Sequence, residues 1–416
     1  MSKPLIKPLF FFICKSLKQN YFSAALSILA VSLSVLLILL VNGLYENSKS
    51  AFLLDHLNLN AVVGARSSGT QLVMNSFYHM DVSPGNIPYK YYQSLKKDKR
   101  IDIAIPYALG DNYYGYRVIG TEESIFAIQM LKNGQLQFSE GNKFNETKLE
   151  VVFGSLAANH LKIKLNDEIN SFHGVVYNAD LKHNQSFKVV GILKPTQTPL
   201  DQVILIPLDA FYRTDGHVLR NEDEIIEINE NETIKDEHKE ISSIMLKINN
   251  PLSVFDFKRE INQFGKTATF AFLPEIVPEI LDKVGWGVLV LKYVSYLVIF
   301  IAGIVILVGI YNSLTQRLGE FAILRALGAS RLFIFFRIIG EAQALVFIGM
   351  TVGAILYIGI FSLLQNYFYQ MTGLYLTLNE IPSLYYWLPC LLLGVGFFAG
   401  LIPALKIYRT DVNKIL

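Results

Sequence analysis

Residues 19–45 read QNYFSAALSILAVSLSVLLILLVNGLY, a run without a single charged side chain. Its centre, Ala24–Leu44, is dense in Leu, Ile, Val and Ala. A helix rises about 1.5 Å per residue, so roughly 20 apolar residues cross the hydrocarbon of a bilayer. This run is long enough to do so. Three more uncharged runs follow: Tyr293–Gln316, Ala342–Asn379 and Ile381–Leu405. The third is too long for one crossing, and from Gln365 to Gln370 it turns polar and aromatic, the composition of an interfacial belt. Four membrane helices are predicted, at 23–44, 293–316, 342–364 and 383–405, with 365–382 a short loop.

Composition agrees. The 416 residues could fill two or three soluble domains, yet 52% are hydrophobic and 17% charged. Soluble chains carry about a quarter charged residues. The net charge of +2 conceals a partition. Segments 1–22, 315–341 and 406–416 hold eleven Lys/Arg against three Asp/Glu, whereas 45–291 holds twenty-five against thirty-one. With four crossings the three basic segments share one side, and the positive-inside rule makes that side cytoplasmic. Both termini and the 317–341 segment are then cytoplasmic, and 45–285 lies outside. Such a division argues against a nucleic-acid binder or a disordered acidic tail. The first run exceeds the roughly 7–15 apolar residues of a secretory signal, and no small-x-small cleavage site follows it, so an uncleaved anchor is expected.

The 45–285 insert reads as mixed α/β. Glu46–Leu59 continues the first run with helical periodicity. Strand-like runs follow at Ile101–Pro106, Tyr116–Gly120, Val151–Phe153, Phe187–Leu193, Val203–Pro207 and Ser243–Ile248. Lys258–Phe264 looks helical, and Pro274–Pro278 punctuates the approach to the second span. Asn221–Glu240, with nine acidic residues, reads as a solvated surface segment. Cys14 and Cys390 lie at the membrane and cannot staple the insert. A domain of this size builds its own core without disulfides.

All seven histidines (56, 79, 160, 173, 183, 217 and 238) fall in the insert. No pair has the tight spacing of a structural zinc site and no cysteine joins them, so surface placement is the preferred reading of the set and no metal ligand is assigned, with a metal-export role as the alternative. Gly265-Lys266-Thr267 imitates the end of a phosphate loop, but Glu260 stands where that motif needs glycine. No Ser/His/Asp elbow or HExxH motif is present, so neither a catalytic residue nor a cofactor is predicted.

The junction after the second span, residues 317–331, reads RLGEFAILRALGASR. Helix formers run from Glu320 to Leu327, and Gly328 is a stop. Glu320, Leu324 and Leu327 share one helical face; Ala322, Ala326 and Ala329 form a small-residue face. From periodicity, the segment either lies on headgroups with its arginines on lipid phosphate, or docks on a cytoplasmic partner.

GEFAILRALGASR, followed by Glu341-Ala342 and a glycine-rich third span, resembles the FtsX-like permease family over about residues 293–412. This family supplies the membrane subunits of MacB-type and lipoprotein-releasing (Lol-type) ABC transporters. VVFGSLAANHLKIKLND at 151–167 and FKVVGIL at 187–193 are similar to the extracytoplasmic core domain of the same class. The resemblance implies an α-helical membrane protein with four transmembrane helices and a large mixed α/β extracytoplasmic domain between helices one and two. It places the chain in a bacterial cytoplasmic (inner) membrane, with both termini cytoplasmic. It further implies a cytoplasmic ABC ATPase dimer as partner, a second permease copy or paralogue, and a periplasmic adaptor or cargo. ATPase activity would reside on the partner, and a nucleic acid is not among the implied partners.

By the same resemblance, Glu320, Phe321, Ile323, Leu324, Arg325, Leu327 and Gly328 would form the ATPase-coupling element. Its motion would drive export or extraction of a substrate such as a lipoprotein or small molecule. Some relatives instead use the motion to activate an external cell-wall enzyme, the alternative reading. The sequence departs from the pattern at Gln316-Arg317-Leu318-Gly319, which is thin in charge, and the first span lacks a small-residue pattern at its start. Gly349 and Gly353 form a GxxxG suited to close helix packing. The spans carry no ring of charges of the kind an ion pathway needs. Lys292 and Glu341 are expected to snorkel at span ends.

Overall fold

The structure, a computed structural model, describes residues 6–54, 56–214, 219–221, 224–226, 234–316, 318–376 and 384–409. Residues 222–223 and 227–233 of the acidic segment, His217, Arg317, residues 377–383 and the last seven residues therefore lie outside the described residues. The chain forms two compact units: Met1–Asn47 with Val284–Leu364 and Thr377–Leu416, and Ser48–Lys283 with Gln365–Leu376.

Among the described residues, four helices are long and apolar enough to cross a membrane: Tyr21–Phe52, Gly285–Gln316, Arg331–Thr372 and Tyr386–Lys406. Each apolar run yields one helix, because the period of its apolar residues and the absence of charge leave nothing to stop it. Their outward faces expose Leu26, Leu29, Leu33, Phe300, Phe347 and Phe398, side chains suited to lipid. Gly349 and Gly353 realise the predicted close packing. A Cβ at Gly349 would sit 2.6 Å from Val31 Cβ, and one at Gly353 would sit 2.7 Å from both Val35 Cβ and the Ser32 carbonyl oxygen. Only hydrogen fits at these two positions. On the same first helix Ser34 is buried, and its hydroxyl donates to the Ala30 carbonyl at 2.7 Å and the Val298 carbonyl at 3.2 Å.

The helices outrun the predicted spans. Tyr21–Phe52 carries the first run into its expected continuation but stops at Phe52, short of the Leu59 that the periodicity predicted. The second helix begins at Leu273, with Pro274 in the first turn, where no backbone N–H is required. Pro274 thus helps start the helix it was expected to precede, and Pro278 lies inside that helix. The N-terminal segment, read only as basic, holds a helix at Ile6–Gln19 that buries Ile13 and Ser16 and exposes Phe10 and Phe11.

The second unit is built on an eleven-stranded mixed sheet. Along the sheet its main strands run Ala268–Phe272, Ala61–Ala65, Ser243–Ile248, Ile101–Tyr113, Tyr116–Thr121, Val203–Pro207, Glu150–Phe153, Phe187–Leu193 and Phe138–Gly141. Neighbours pair antiparallel, except Val203–Pro207 with Tyr116–Thr121 and Glu150–Phe153 with Phe187–Leu193. Two short strands complete it: Glu168–Ile169 on Phe187–Leu193, and Phe172–His173 on Ile101–Tyr113.

Both faces are covered, which explains the unbroken apolar runs in the sequence. Alternation sorts them: Val63, Ile204, Ile206, Ile244 and Leu246 enter one core, while Val62, Val203, Leu205 and Met245 enter the other. The segment read as helical at Lys258–Phe264 is a π-helix.

The stretch Gln365–Gln370, read from its composition as an interfacial belt, falls in the Gln365–Leu376 segment of this second unit. Helix Arg331–Thr372 runs through it to Thr372. Part of the stretch is engaged by protein, while Asn366 and Tyr367 stay exposed. The Tyr369 hydroxyl donates to Asp201 at 2.7 Å, and Gln202 donates to the Gln370 carbonyl at 3.0 Å. Phe368 and Leu374 join the second core.

Candidate functional site

The 317–331 junction folds as a short helix, Leu318–Ala326, closed at its C-terminus by Gly328. Gly328 has φ +98°, a left-handed conformation that side chains resist. The Ala329 N–H donates to the Leu324 carbonyl at 2.9 Å and the Gly328 N–H to the Arg325 carbonyl at 3.0 Å. These are the paired bonds of a Schellman C-cap. Two residues later Ser330 caps the next helix, its hydroxyl accepting from the Phe333 N–H at 3.2 Å. The turn Leu327–Ser330 is thereby fixed from both sides.

Side-chain exposure divides the predicted coupling residues. Phe321 is buried at 5% exposure. The Arg337 guanidinium lies 5.0 Å from its ring centroid and 5.3 Å from that of Phe12, and Phe12 meets Phe333 edge-on at 6.0 Å. Phe321 therefore anchors the helix. Ile323 is 58% and Leu327 80% exposed, Glu320 and Gly328 are exposed, and Leu324 and Arg325 are half-buried. The arrangement is a short rigid helix offering two apolar side chains beside an acid and a base. Such a patch suits insertion into a groove on another protein, where apolar anchors supply affinity and rim charges set register.

Glu341 departs from the sequence reading. It is buried rather than snorkelling, and the Ser16 hydroxyl donates to its Oε2 at 2.8 Å. A carboxylate removed from water needs such a donor. Lys292 is exposed, as a long side chain near a span end should be. The anchoring roles of Arg337 and Phe12 were beyond sequence reasoning, because the Ile6–Gln19 helix carried only a basic signature.

The inserted domain holds a second built cluster. The buried Asp201 carboxylate accepts from the Thr196 N–H at 2.8 Å, the Thr196 hydroxyl at 2.9 Å, the Gln197 N–H at 2.8 Å and the Tyr369 hydroxyl. Burial nevertheless pushes its carboxyl above the usual range, outweighing bonds that favour the charged form. Glu122 behaves oppositely. Burial opposes its charge, but hydrogen bonds from Tyr89 and Tyr92 and the Lys96 ammonium outweigh that and hold it below the usual range.

Four apolar helices with a large α/β insert between the first and second, and a capped exposed helix after the second, define a class of membrane permease. Residues 24–264 match the MacB-like periplasmic core domain, and residues 293–412 match the FtsX-like permease C-terminal domain. The chain belongs to the MacB/FtsX family of ABC-type permeases.

Among solved structures, the periplasmic region of MacB from Actinobacillus actinomycetemcomitans is similar at 13% identity. That alignment covers 54% of this chain and 94% of that one, with a TM-score of 0.34. The extracellular domain of the noncanonic ABC-type transporter YknZ from Gram-positive bacteria is similar at 12% identity, covering 51% and 98%, with a TM-score of 0.30. No curated protein matches the chain in sequence.

Proposed function

We propose that this permease works as the membrane subunit of an ABC machine whose ATPase is a separate cytoplasmic dimer. Ile323 and Leu327, flanked by Glu320 and Arg325, seat in a groove on that ATPase. Closure of the ATPases displaces the Leu318–Ala326 helix, and the membrane helices pass the movement to the inserted domain. That domain then drives export or extraction of a substrate on the outer side of the inner membrane, with both termini in the cytoplasm. A second permease copy or paralogue completes the complex.

The observation that carries this reading is the exposure of Ile323 on the Leu318–Ala326 helix and of Leu327 in the turn that closes it. The second membrane helix joins this element to the insert, since one helix spans Leu273–Gln316. The test is to co-express the chain with its ABC ATPase and place single cysteines at Leu327 and, as a control, at exposed Leu363. Crosslinking to the ATPase from position 327 but not 363 is expected. Leu327→Asp should lower permease-dependent ATPase activity at least tenfold without changing folding. Equal crosslinking at both positions, or undiminished activity in the Leu327→Asp chain, overturns the reading.

A further inference from the structure

The long strand Ile101–Tyr113 breaks register between Leu109 and Asp111, leaving Gly110 as an extra residue. A bulge of this kind re-aims the side chain beside it. Here that side chain is Asp111, which is completely buried. The short strand Phe172–His173 pairs directly with this point, setting His173 opposite Asp111. The chain then loops out and returns, so that the His183 N–H donates to the Ser171 carbonyl at 2.9 Å. Asn170 braces the returning end by donating to the carbonyls of His183, Asn184 and Gln185. Asn112 braces the outgoing end by donating to the Gly174 carbonyl at 2.9 Å. Tyr114, Phe172 and Tyr177 pack together over the loop.

These supports bring three ligand-type side chains together. His173 Nδ1 lies 3.4 Å from Asp111 Oδ1, and His183 Nε2 lies 3.3 Å from Asp111 Oδ2. The three ligand atoms fall within 4.8 Å of one another. A charge-assisted N–H to carboxylate bond would close to about 2.7–2.9 Å. Ligands of a tetrahedral ion with bonds of about 2.0–2.1 Å are instead separated by about 3.3–3.4 Å. The observed separations, one to each Asp111 oxygen, are longer than such bonds, and the spread of the three ligand atoms is compatible with a cation held between them. Two imidazoles and one carboxylate suit zinc and its transition-metal neighbours, whereas calcium and magnesium favour all-oxygen sets. His183 is buried with Asp111, while His173 is 46% exposed at its side chain, so the cluster lies at the edge of the buried region rather than deep within it.

We infer that Asp111, His173 and His183 form a three-ligand site for a zinc-type divalent cation on the inserted domain. The ion would tie the 173–183 loop to the bulge in the central strand and leave one position for water or an external ligand. The spacing of the histidines hides this site, because the ligands come from one sheet strand and the two ends of a distant loop.

The test uses the full-length chain in detergent micelles, stripped with chelator and titrated with zinc alone against a chromophoric competitor. One zinc per chain at micromolar affinity or better is expected, with a zinc-dependent rise in melting temperature. Cobalt in its place should give the intense visible absorption of a tetrahedral complex. His173→Gln and His183→Gln should each weaken zinc binding at least tenfold and reduce the cobalt band, whereas His56→Gln should change neither. Because His173 is exposed, its replacement serves as the decisive variant if changes at Asp111 or His183 prevent folding. Absence of stoichiometric zinc binding by the parent chain, or binding that survives His173→Gln undiminished, overturns the assignment.

Discussion

The Tyr369 hydroxyl donates to Asp201 Oδ2 at 2.7 Å, joining residues 168 positions apart. The bond fixes the last turn of helix Arg331–Thr372 within the core unit of the inserted domain. Tyr369→Phe removes this donor and leaves a buried carboxylate with one partner fewer. A loss of about 1.5–3 kcal/mol is expected, the range for bonds to charged groups. Hydrogen exchange should accelerate in Gln365–Leu376 before it does so elsewhere in the sheet.

The contact of Gly349 and Gly353 with Val31 and Val35 leaves no room for a methyl group. Gly353→Ala should therefore cost about 1–3 kcal/mol through overpacking. Gly359, further along the same helix, has nothing near its missing side chain. Gly359→Ala should be neutral or mildly stabilising, since alanine is the better helix former. Thermal melts of the two variants in the same detergent make the comparison.

Phe321 and Leu327 lie six residues apart and should respond oppositely to truncation. Phe321→Ala removes a buried ring and its Arg337 contact, and should cost about 3–5 kcal/mol. Leu327→Ala removes an exposed side chain and should stay within about 0.5 kcal/mol of the parent. Expression yield and melting temperature separate them.

His79 is pushed down to about 3 by burial, with the Arg117 charge acting in the same direction. The unfolded chain takes up this proton near its ordinary value of about 6.5, but the folded chain resists it. The stability contributed by neutral His79 is complete above about 6.5 and is lost progressively as pH falls from there towards 3. A lower melting temperature at pH 5 than at pH 7.5 is expected, and His79→Gln should narrow the gap. The Glu122 carboxyl, held below its usual range, loses its own contribution as pH falls towards the ordinary carboxylate range, and the His79→Gln variant separates the two effects.

The membrane helices were legible because an uncharged apolar run of about 20 residues is too costly to leave in water and long enough to cross a bilayer. Several strands were legible for a related reason. Phe187–Leu193, Val203–Pro207 and Ser243–Ile248 fall where the apolar runs predict them, since both faces of the sheet are buried. Ala61–Ala65 and Ala268–Phe272 carried less signal. Small residues dilute their β character, and their pairing joins segments some 200 residues apart. The short helix Leu318–Ala326 and its stop at Gly328 were readable from local chemistry, but the inward turn of Phe321 was not. That depends on Arg337 and Phe12, which the sequence places on other helices. The protein partners of Gln365, Tyr369 and Gln370 were not legible, because amides and phenols that suit an interface also suit a protein partner. The Asp111 cluster was invisible for want of local spacing.

The valine–glycine contact between the first and third helices carries a geometric consequence. The missing glycine side chains let Val31 and Val35 seat directly on the backbone of the facing helix, so sliding or rolling either helix would drive their methyl groups into it. The register of the two helices along this stretch is set by steric fit alone.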